Sequence, residues 1–380
     1  MLLSAVEDEL SPLYVSKPLL PSIVDLARQL ESIWESQRVT NHGPLSLELE
    51  KKLSCILEVP TAMVVNNGTT GLLIALRLFD LPLGSEVITT PLTFAATAHS
   101  IVWNGLKPIF VDVSEDSLTI DPRATEAAIS HNTSAILGVH AYGCVCDHVA
   151  LQEIATKNNI KLIYDAAHAF TSTWRGLSVA SLGDASVFSF HATKLFNTIE
   201  GGAIATPNLD DQKKIYLLRN FGIHSEDEVT TIGVNGKLNE VQSAIGLLNL
   251  DLFQEEKKSR GELREKYRQA LLGLPGLRIQ EVASDVSQSE QYFLIRIDSK
   301  MFGRTRDQIK QQLESQNIFC RKYFFPLCTD FEPYKHLRII SNSERVIAEV
   351  AKDQVLCLPF HSGVSEAHID RLTRVFRAQN

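Results

Sequence analysis

Apolar runs of strand length alternate with amphipathic segments of helix length through the middle of the chain, beginning near Ala62. The strand-like runs are TAMVVNN, EVITTP, KPIFVDV, SAILGVHAY and KLIYDAA. The helical segments between them are TGLLIALRLFD, residues 95–103, DPRATEAAIS and DHVALQEIATKNN. Continuous apolar runs that are separated by helices are typical of parallel strands buried on both faces. The pattern therefore predicts an α/β fold with a doubly wound sheet.

The pattern changes in the C-terminal part of the chain. Residues 238–272 are mostly helix-forming and contain the charged stretch QEEKKSRGELREKYRQ, which we interpret as a long helix leaving one domain for another. After it come the turn LPG, the runs LRIQEV and QYFLIRI, a helix near 305–315, the run IFCRKYFF and a final helix from about Ser365. We expect a large domain of residues 1–255 and a smaller α+β domain of residues 256–380.

Composition places the chain among globular proteins without a membrane segment. Of its 380 residues, 44% are hydrophobic and 22% are charged. No apolar run approaches the roughly 18 to 20 residues that a membrane span needs. The first ten residues, MLLSAVEDEL, are acidic where a secretory signal would be basic, so we expect a cytoplasmic protein.

The charge and the cysteine content of the chain argue against nucleic-acid binding and against a metal site. The net charge is -8 and no basic block stands out, which argues against a nucleic-acid partner. The six cysteines are scattered, and the CVC pair of Cys144 and Cys146 has neither zinc-ribbon nor thioredoxin spacing. This favours reduced structural thiols over a metal site.

The segment VVNNGTTG, residues 64–71, ends one predicted strand and opens a helix. Free N–H groups and the positive end of the helix dipole at such a junction can hold a phosphate, with Gly68, Thr69 and Thr70 supplying close backbone approach and hydroxyl donors. An ordinary N-cap by Asn67 or Thr69 explains the same residues, and on this segment alone it is the better explanation.

Asp165 follows the apolar run KLIY and should stand at the carboxyl end of a buried strand, where open α/β sheets gather their ligands. A carboxylate there needs a cation, a metal or the protonated ring nitrogen of a cofactor. Alternatively, Asp165 caps the next helix. His168 could orient the same ligand or be a satisfied buried histidine.

Lys194 stands in FSFHATKLFNTIEGG, between a strand-like run and two glycines. With no acid nearer in sequence than Glu200, it can lose its proton more easily than a solvated lysine and attack a carbonyl. An isolated lysine after a strand is more often a surface residue.

A phosphate site, a strand-end aspartate and a strand-end lysine are together the groups that pyridoxal 5'-phosphate requires. An aromatic side chain over the ring is also needed, and Phe94 in LTFAAT stands near another strand end. Taken by itself, Phe94 would be interpreted as an ordinary core residue. The joint presence of these features predicts a pyridoxal phosphate enzyme.

These motifs resemble those of the DegT/StrS family of sugar aminotransferases, from VTNHGPLSLELEKKL at Val39 to the C-terminal LCLPFHSGVS. The resemblance implies the fold of aspartate aminotransferase, which is pyridoxal phosphate transferase fold type I with a large mixed-sheet domain. It implies cofactor contacts by NNGTTG, by Phe94, by Asp165 with His168, and by the segment from Ser189, on the phosphate side, to Lys194.

The stretch GVNGKLNEVQSAIGLLNL resembles the family segment whose asparagine reaches the neighbouring subunit's site. Asn235 takes that position, which implies a homodimer with shared active sites; from the sequence alone it is a turn residue beside Gly236. Two positions depart from the family pattern, since Ile199 replaces a common glycine and Gly236-Lys237 replace the usual aromatic or arginine. These departures concern loop shape and substrate choice rather than the reaction.

The resemblance implies transfer of an amino group from L-glutamate to a keto-sugar carried on a nucleotide. The HATKLFNT version of the lysine motif is similar to the branch that aminates C4 of 4-keto-6-deoxy sugars, as in forming dTDP-4-amino-4,6-dideoxyglucose for O-antigen, lipopolysaccharide or related glycans. Tyr323 in CRKYFFPL is a candidate sugar contact, although a core tyrosine fits equally well.

Alternative functions are an enzyme that aminates C3 of a 3-keto sugar nucleotide and a non-catalytic regulatory protein of the same fold. Relatives that dehydrate sugars with pyridoxamine phosphate replace the lysine by histidine, so Lys194 argues against that reaction. A P-loop or dinucleotide-binding protein is excluded, because NNGTTG contains neither GK[ST] nor GxGxxG.

Overall fold

The computed structural model describes residues 11–378, so the acidic N-terminal stretch discussed above lies outside the described residues. The strands are β1 Leu13–Tyr14, β2 Thr61–Val65, β3 Glu86–Thr89, β4 Lys107–Val111, β5 Thr133–Val139, β6 Lys161–Asp165, β7 Thr173–Trp174, β8 Leu177–Ser178, β9 Ala185–Ser189, β10 Gly202–Thr206, β11 Ile223–Ser225, β12 Glu228–Val229, β13 Leu277–Ile279, β14 Val286–Ser287, β15 Phe293–Ile297, β16 Ile318–Phe319, β17 Ile339–Ile340 and β18 Val355–Leu358. The α-helices are α1 Ile23–Ser36, α2 Pro44–Ile56, α3 Gly68–Leu78, α4 Ala95–Trp103, α5 Pro122–Ala128, α6 His148–Asn158, α7 Asp211–Leu218, α8 Glu240–Leu271, α9 Ser299–Phe302, α10 Arg306–Ser315, α11 Ile347–Gln354 and α12 Glu366–Arg377.

An eight-stranded mixed sheet forms the centre of the larger unit, in the order β17-β4-β3-β5-β6-β9-β10-β2. Neighbouring strands from β17 to β9 run parallel, whereas β10 runs antiparallel to both β9 and β2. The predicted α/β class and doubly wound sheet are confirmed. Because β5, β6 and β9 are parallel neighbours, their carboxyl ends lie side by side at one edge of the sheet.

Both faces of this sheet are covered by helices, which explains the continuous apolar runs in the sequence. Successive residues of β2 pack on opposite sides, Met63 with Leu72 of α3 and Val64 with Leu49 of α2. Each such fully buried side chain contributes about 1.5 to 3 kcal/mol. The strands need no polar face, and the alternating pattern of a half-exposed sheet is absent from them.

Helix α8 connects the large sheet with a smaller unit. Phe253 in its first half packs in the core beside the large sheet, and Tyr267 in its second half packs in a separate core with Phe293. That second core includes residues of α10 and α12 and of the antiparallel sheet β13-β15-β18. The predicted long helix and smaller α+β unit are therefore present, and the boundary at residue 255 stays a prediction.

Later parts of the chain also return to the first part. Strand β17 joins the edge of the large sheet beside β4, and β14 pairs with β7. Helices α1 and α2, which precede the predicted start of regular structure, were not predicted. In residues 11–378, no helix combines the length and the apolar composition that crossing a membrane would require.

Candidate active site

A cavity of about 380 Å³ opens where β5, β6 and β9 end and where α3 and α4 begin. The C-terminal part of the chain closes its other side with Tyr292, Arg321, Tyr323 and Phe324. The predicted site residues that line it are Gly68, Thr69, Phe94, Asp165, His168, Ser189, Lys194 and Tyr323. Residues spread over much of the sequence thus meet at the carboxyl edge of the sheet, where open α/β sheets bind ligands.

Lys194 lies on a closed loop between β9 and the antiparallel β10. The Phe190 N–H donates to the Gly201 carbonyl over 2.8 Å, and the Ala192 N–H donates to the Ile199 carbonyl over 2.7 Å. The rings of Phe190 and Phe196 are buried in the core and fix the two arms of the loop. We call residues 190–201 the lysine loop.

Gln291, two residues before β15, fastens the lysine loop on both sides of the lysine. Its Oε1 accepts from the Leu195 N–H over 2.8 Å, and its Nε2 donates to the Thr193 carbonyl over 3.1 Å. The Gln291 side chain is buried and lies almost a hundred positions away in sequence. No local pattern signals such a contact, and a role for Gln291 was not predicted.

The Lys194 amine lies on the cavity wall, with Nζ 5.9 Å from the centre of the Tyr292 ring. Burial lowers the pKa of Lys194 to about 8, and the nearby Asp165 carboxylate opposes this shift. A lysine with such a pKa is partly neutral near pH 7 and can act as a nucleophile or base. The alternative of a solvated surface lysine does not describe this half-buried side chain.

The Asp165 carboxylate is buried at the end of β6 and accepts two hydrogen bonds. Thr97 Oγ1 donates to Oδ2 over 2.7 Å, and the Ala167 N–H donates to Oδ1 over 3.1 Å. Burial raises the pKa of Asp165, while these two donors and Lys194 lower it. Residues 166–172 form turns rather than a helix, so Asp165 is not a helix cap.

His168 lies three residues beyond Asp165. Its imidazole is hydrogen-bonded within the protein and also forms part of the cavity wall. Its Nδ1 accepts from the Tyr142 N–H over 3.3 Å, and its ring is stacked on Phe324 with centroids 5.6 Å apart. Burial, with a smaller contribution from Lys194, lowers the pKa of His168 well below its usual value. The imidazole is therefore neutral. His168 is a hydrogen-bonded buried histidine, as one interpretation predicted, and it also lines the cavity where the other interpretation placed a ligand.

The NNGTTG turn joins β2 to α3 as predicted. Asn67 Oδ1 caps the helix by accepting from the Thr70 N–H over 2.8 Å, which confirms the N-cap interpretation for Asn67. The same helix start faces the cavity with Gly68 and Thr69, opposite Ser189. A Cβ added to Gly68 would lie 3.0 Å from the Ser189 Cβ, so glycine permits this close approach.

Two aromatic side chains were predicted at the site. Phe94, the residue before α4, lines the cavity and is 61% exposed, so it is not the core phenylalanine of the alternative interpretation. Tyr323 is half-buried, with its ring centre 5.3 Å from that of Tyr292, and it lines the cavity. Both rings are therefore available to a ligand.

Two predicted contacts, Thr70 and Asn235, do not line this cavity. The Thr70 N–H is used by the Asn67 cap. Asn235 is exposed, and its Oδ1 accepts from Lys237 Nζ over 2.9 Å. Asn235 therefore does not belong to the cavity lining.

Other polar side chains line the cavity that were not predicted from the sequence. Arg321 extends from the segment after β16, and His191 and Glu200 face each other across the lysine loop with Nε2 and Oε1 3.6 Å apart. Arg321 and Tyr323 are two positions apart in CRKYFF, a spacing that places alternate residues of an extended chain on one side. That spacing was the available signal for Arg321.

The donor set fits pyridoxal phosphate. A helix start with Thr69 and Ser189 hydroxyls suits a phosphate, a buried carboxylate suits a protonated ring nitrogen, and an amine of lowered pKa suits an aldehyde. These groups line one cavity together with the exposed Phe94 ring, which is what such a planar cofactor requires. Within residues 11–378, His, Cys, Asp and Glu side chains form no cluster that could hold a metal ion.

Comparisons with known proteins agree with this geometry. Residues 23–377 match the model of the DegT/DnrJ/EryC1/StrS aminotransferase family. A protein of Shigella dysenteriae named dTDP-4-amino-4,6-dideoxy-D-glucose transaminase is 42% identical over 96% of this chain and 98% of its own length. An Escherichia coli protein of the same name is 38% identical over 95% and 97% of the two chains. The crystal structure of DesI, determined in the presence of its TDP-sugar product, superposes with a TM-score of 0.90 at 34% identity, covering 97% of this chain and 92% of that chain.

Proposed function

This chain belongs to the DegT/DnrJ/EryC1/StrS aminotransferase family. On that premise we propose that it transfers an amino group from L-glutamate to C4 of a nucleotide-linked 4-keto-6-deoxy sugar. The proposed product is dTDP-4-amino-4,6-dideoxyglucose, made for O-antigen, lipopolysaccharide or a related glycan in the cytoplasm. One observation carries the proposal: Lys194, with its lowered pKa, shares a cavity with the buried Asp165 carboxylate.

The proposal assigns each part of the cavity to one part of the cofactor. Gly68, Thr69 and Ser189 would hold the phosphate, Phe94 would cover the ring, and Asp165 would hold the ring nitrogen. Pyridoxal phosphate, when bound, supplies an aldehyde that condenses with amines and a ring that accepts electrons from the adjacent carbon. His168, held by Tyr142 and Phe324, would form the wall beside it.

Lys194 would carry the protons of the reaction. Because its pKa is lowered to about 8, the Nζ atom can accept the proton from the donor's α-carbon and return a proton to the sugar carbon. The lysine loop is fixed by Gln291 and by buried phenylalanine rings, so the amine is held in place rather than on a mobile segment.

The sugar would enter from the side formed by the C-terminal part of the chain. Tyr323 offers a ring and a hydroxyl, and Arg321 offers a cation, at the cavity wall opposite the sheet. The amination of C4 is supported by the HATKLFNT segment and by the names of the relatives from Shigella dysenteriae and Escherichia coli. No observation on the cavity favours a 3-keto sugar instead.

We also propose that the active unit is a homodimer. The residues Ile232–Val234, which directly precede Asn235, line an open groove of about 410 Å³ together with side chains of α3 and α4. Leu83, Trp103 and Ile232 around it are 80%, 82% and 78% exposed. A second copy would cover this apolar surface and bring Asn235 to the neighbouring cavity.

The Lys194→Ala variant tests the catalytic assignment. We expect this variant to bind pyridoxal phosphate, measured by fluorescence titration, but to lose more than about a thousandfold in 2-oxoglutarate formation, since both nucleophile and base are removed. Lys161→Ala, which removes a lysine at the start of β6 that is paired with Asp184, is the control with unchanged turnover. Turnover at the wild-type rate in Lys194→Ala would refute the assignment.

A further inference from the structure

Two threonines form a hydrogen-bonded chain that ends on Asp165: Thr93, two residues before α4, and Thr97 in its first turn. Thr97 Oγ1 donates to Asp165 Oδ2 over 2.7 Å, and the hydroxyl oxygens of Thr93 and Thr97 are 2.8 Å apart. An ionised Asp165 carboxylate can only accept, so Thr97 gives it its single hydroxyl proton and Thr93 is then the donor to Thr97. Thr93, Thr97 and Asp165 are 2%, 0% and 6% exposed, so these bonds are largely shielded from solvent.

The surroundings of Asp165 stabilise its ionised carboxylate. Each oxygen of Asp165 faces a donor, Thr97 Oγ1 on one side and the Ala167 N–H on the other. Protonation of Oδ1 would set a hydroxyl against the Ala167 N–H, and protonation of Oδ2 would require Thr97 to reverse its hydroxyl. Burial raises the pKa of Asp165, and the Thr97 hydroxyl is first among the groups that lower it. Among the other titratable groups that line the cavity, Lys194 also lowers this pKa, and burial keeps His168 neutral. The remaining ones are His191, Glu200, Tyr292, Arg321 and Tyr323.

We propose that Thr97 is a positioning residue that orients the Asp165 carboxylate and keeps it ionised toward the ring nitrogen of the cofactor, with Thr93 supporting Thr97. This inference rests on the proposed function, because it presupposes that the cavity takes pyridoxal phosphate. It predicts that the affinity for the ring, and the proton held on its nitrogen, depend on a hydroxyl that does not itself line the cavity.

The Thr97→Val variant tests the inference, since valine keeps the shape of the side chain and loses the donor. A hydrogen bond to a charged group is worth about a tenfold change or more in an equilibrium, so we expect about tenfold weaker binding of pyridoxal phosphate. The pH midpoint of the bound cofactor's visible absorbance should rise by about one unit. The reason is that a ring nitrogen that loses its proton places less positive charge near the Lys194 nitrogen, which then keeps its own proton to higher pH.

A cofactor analogue separates positioning from general damage to the fold. When the ring nitrogen of pyridoxal phosphate is replaced by carbon, Asp165 has no ring N–H to accept, so Thr97→Val and wild type should bind the analogue equally. An equal loss of affinity for the analogue and for pyridoxal phosphate would overturn the inference, because it would indicate a structural role only.

Three further variants complete the test. Thr97→Ser keeps the donor and should restore the wild-type midpoint and affinity, and Thr93→Val should give a smaller shift in the same direction, which also serves if Thr97→Val does not fold. Thr89→Val removes another buried threonine bond, from Oγ1 to the Leu137 carbonyl over 2.8 Å, and should leave the midpoint unchanged. An unshifted midpoint in both Thr97→Val and Thr93→Val overturns this inference alone, whereas wild-type protein that binds no pyridoxal phosphate overturns the proposed function as well.

Discussion

At the scale of single residues, the site depends on burial acting in opposite directions on two charged groups. Burial lowers the pKa of Lys194 and raises that of Asp165, and each charge partly offsets the shift of the other. The pKa of Lys194 is thereby brought closer to neutral pH. The carboxylate of Asp165 remains a hydrogen-bond acceptor, because Thr97 and the Ala167 N–H donate to it. Proton transfer requires that combination of a base near its pKa and a fixed anion.

The lowered pKa of Lys194 gives a prediction for the protein without cofactor. Acetylation of Lys194, followed by mass spectrometry of peptides, should rise with pH around a midpoint of about 8, because only the neutral amine reacts. Exposed lysines of the same sample are the internal control, with midpoints near the ordinary value of about 10.4. A midpoint for Lys194 equal to that of the exposed lysines would contradict the account of its burial.

At the scale of elements, the lysine loop shows how a local departure from the family pattern is accommodated. Ile199 has φ of 68°, in the left-handed region that glycine adopts freely, and its side chain is 46% exposed. Its backbone is nevertheless held by the Asn197 side chain, whose Oδ1 accepts from the Ile199 N–H over 3.1 Å. The β-branched residue therefore costs conformational energy and gains little from burial.

Replacing Ile199 by glycine should stabilise the protein. Relief of the left-handed conformation is worth about 1 kcal/mol, partly offset by the greater freedom of glycine in the unfolded chain. The measurement is the midpoint of urea unfolding, with Ile199→Ala as the control that loses the side chain but keeps the Cβ. If Ile199→Gly unfolded at lower urea than Ile199→Ala, the proposed strain would be disproved.

The elements that the sequence predicted are those with a strong local pattern. Strands β2 to β6 and the helices between them, and the long α8, stand within a few residues of the apolar runs that predicted them. Helices α1 and α2 were missed because they precede the first strand-like run, from which the alternation was traced. Strand β17, with only two residues, is defined by its partner β4 and not by its own sequence.

The same distinction applies to the site. Lys194, Asp165 and Phe94 could be predicted because each follows a strand-like run, which places it at a known edge of the sheet. Gln291 and Thr97 could not, because their roles depend on contacts across the tertiary structure. Arg321 was missed although its spacing from Tyr323 was a signal for it. Asn235 was placed by family resemblance, and its contact with a second subunit stays a prediction.

At the scale of the whole molecule, the proposed dimer predicts complementation between two defective subunits. Asn235→Ala should weaken cofactor binding about tenfold, since a hydrogen bond to a charged group is lost. In a hybrid of Lys194→Ala and Asn235→Ala subunits, the site with an intact lysine receives Asn235 from its partner. We therefore expect one wild-type site per hybrid dimer, measured as about half the wild-type turnover at limiting pyridoxal phosphate.

Two outcomes would contradict this arrangement. A hybrid with no more activity than the mean of its parent dimers would place Asn235 in its own subunit's site or outside any site. A monomer at working concentrations, seen by sedimentation, would leave the apolar groove beside Ile232 and Trp103 without the proposed cover.

The most direct test of the central claim is the sugar half of the reaction. Enzyme is loaded with pyridoxal phosphate, treated with L-glutamate and freed of 2-oxoglutarate. It is then offered dTDP-, UDP- and GDP-linked 4-keto-6-deoxy sugars, and the corresponding 3-keto sugars are the control. We expect dTDP-4-keto-6-deoxyglucose to give a product with the amino group at C4, located by NMR. Product from the 3-keto sugars alone would contradict the account.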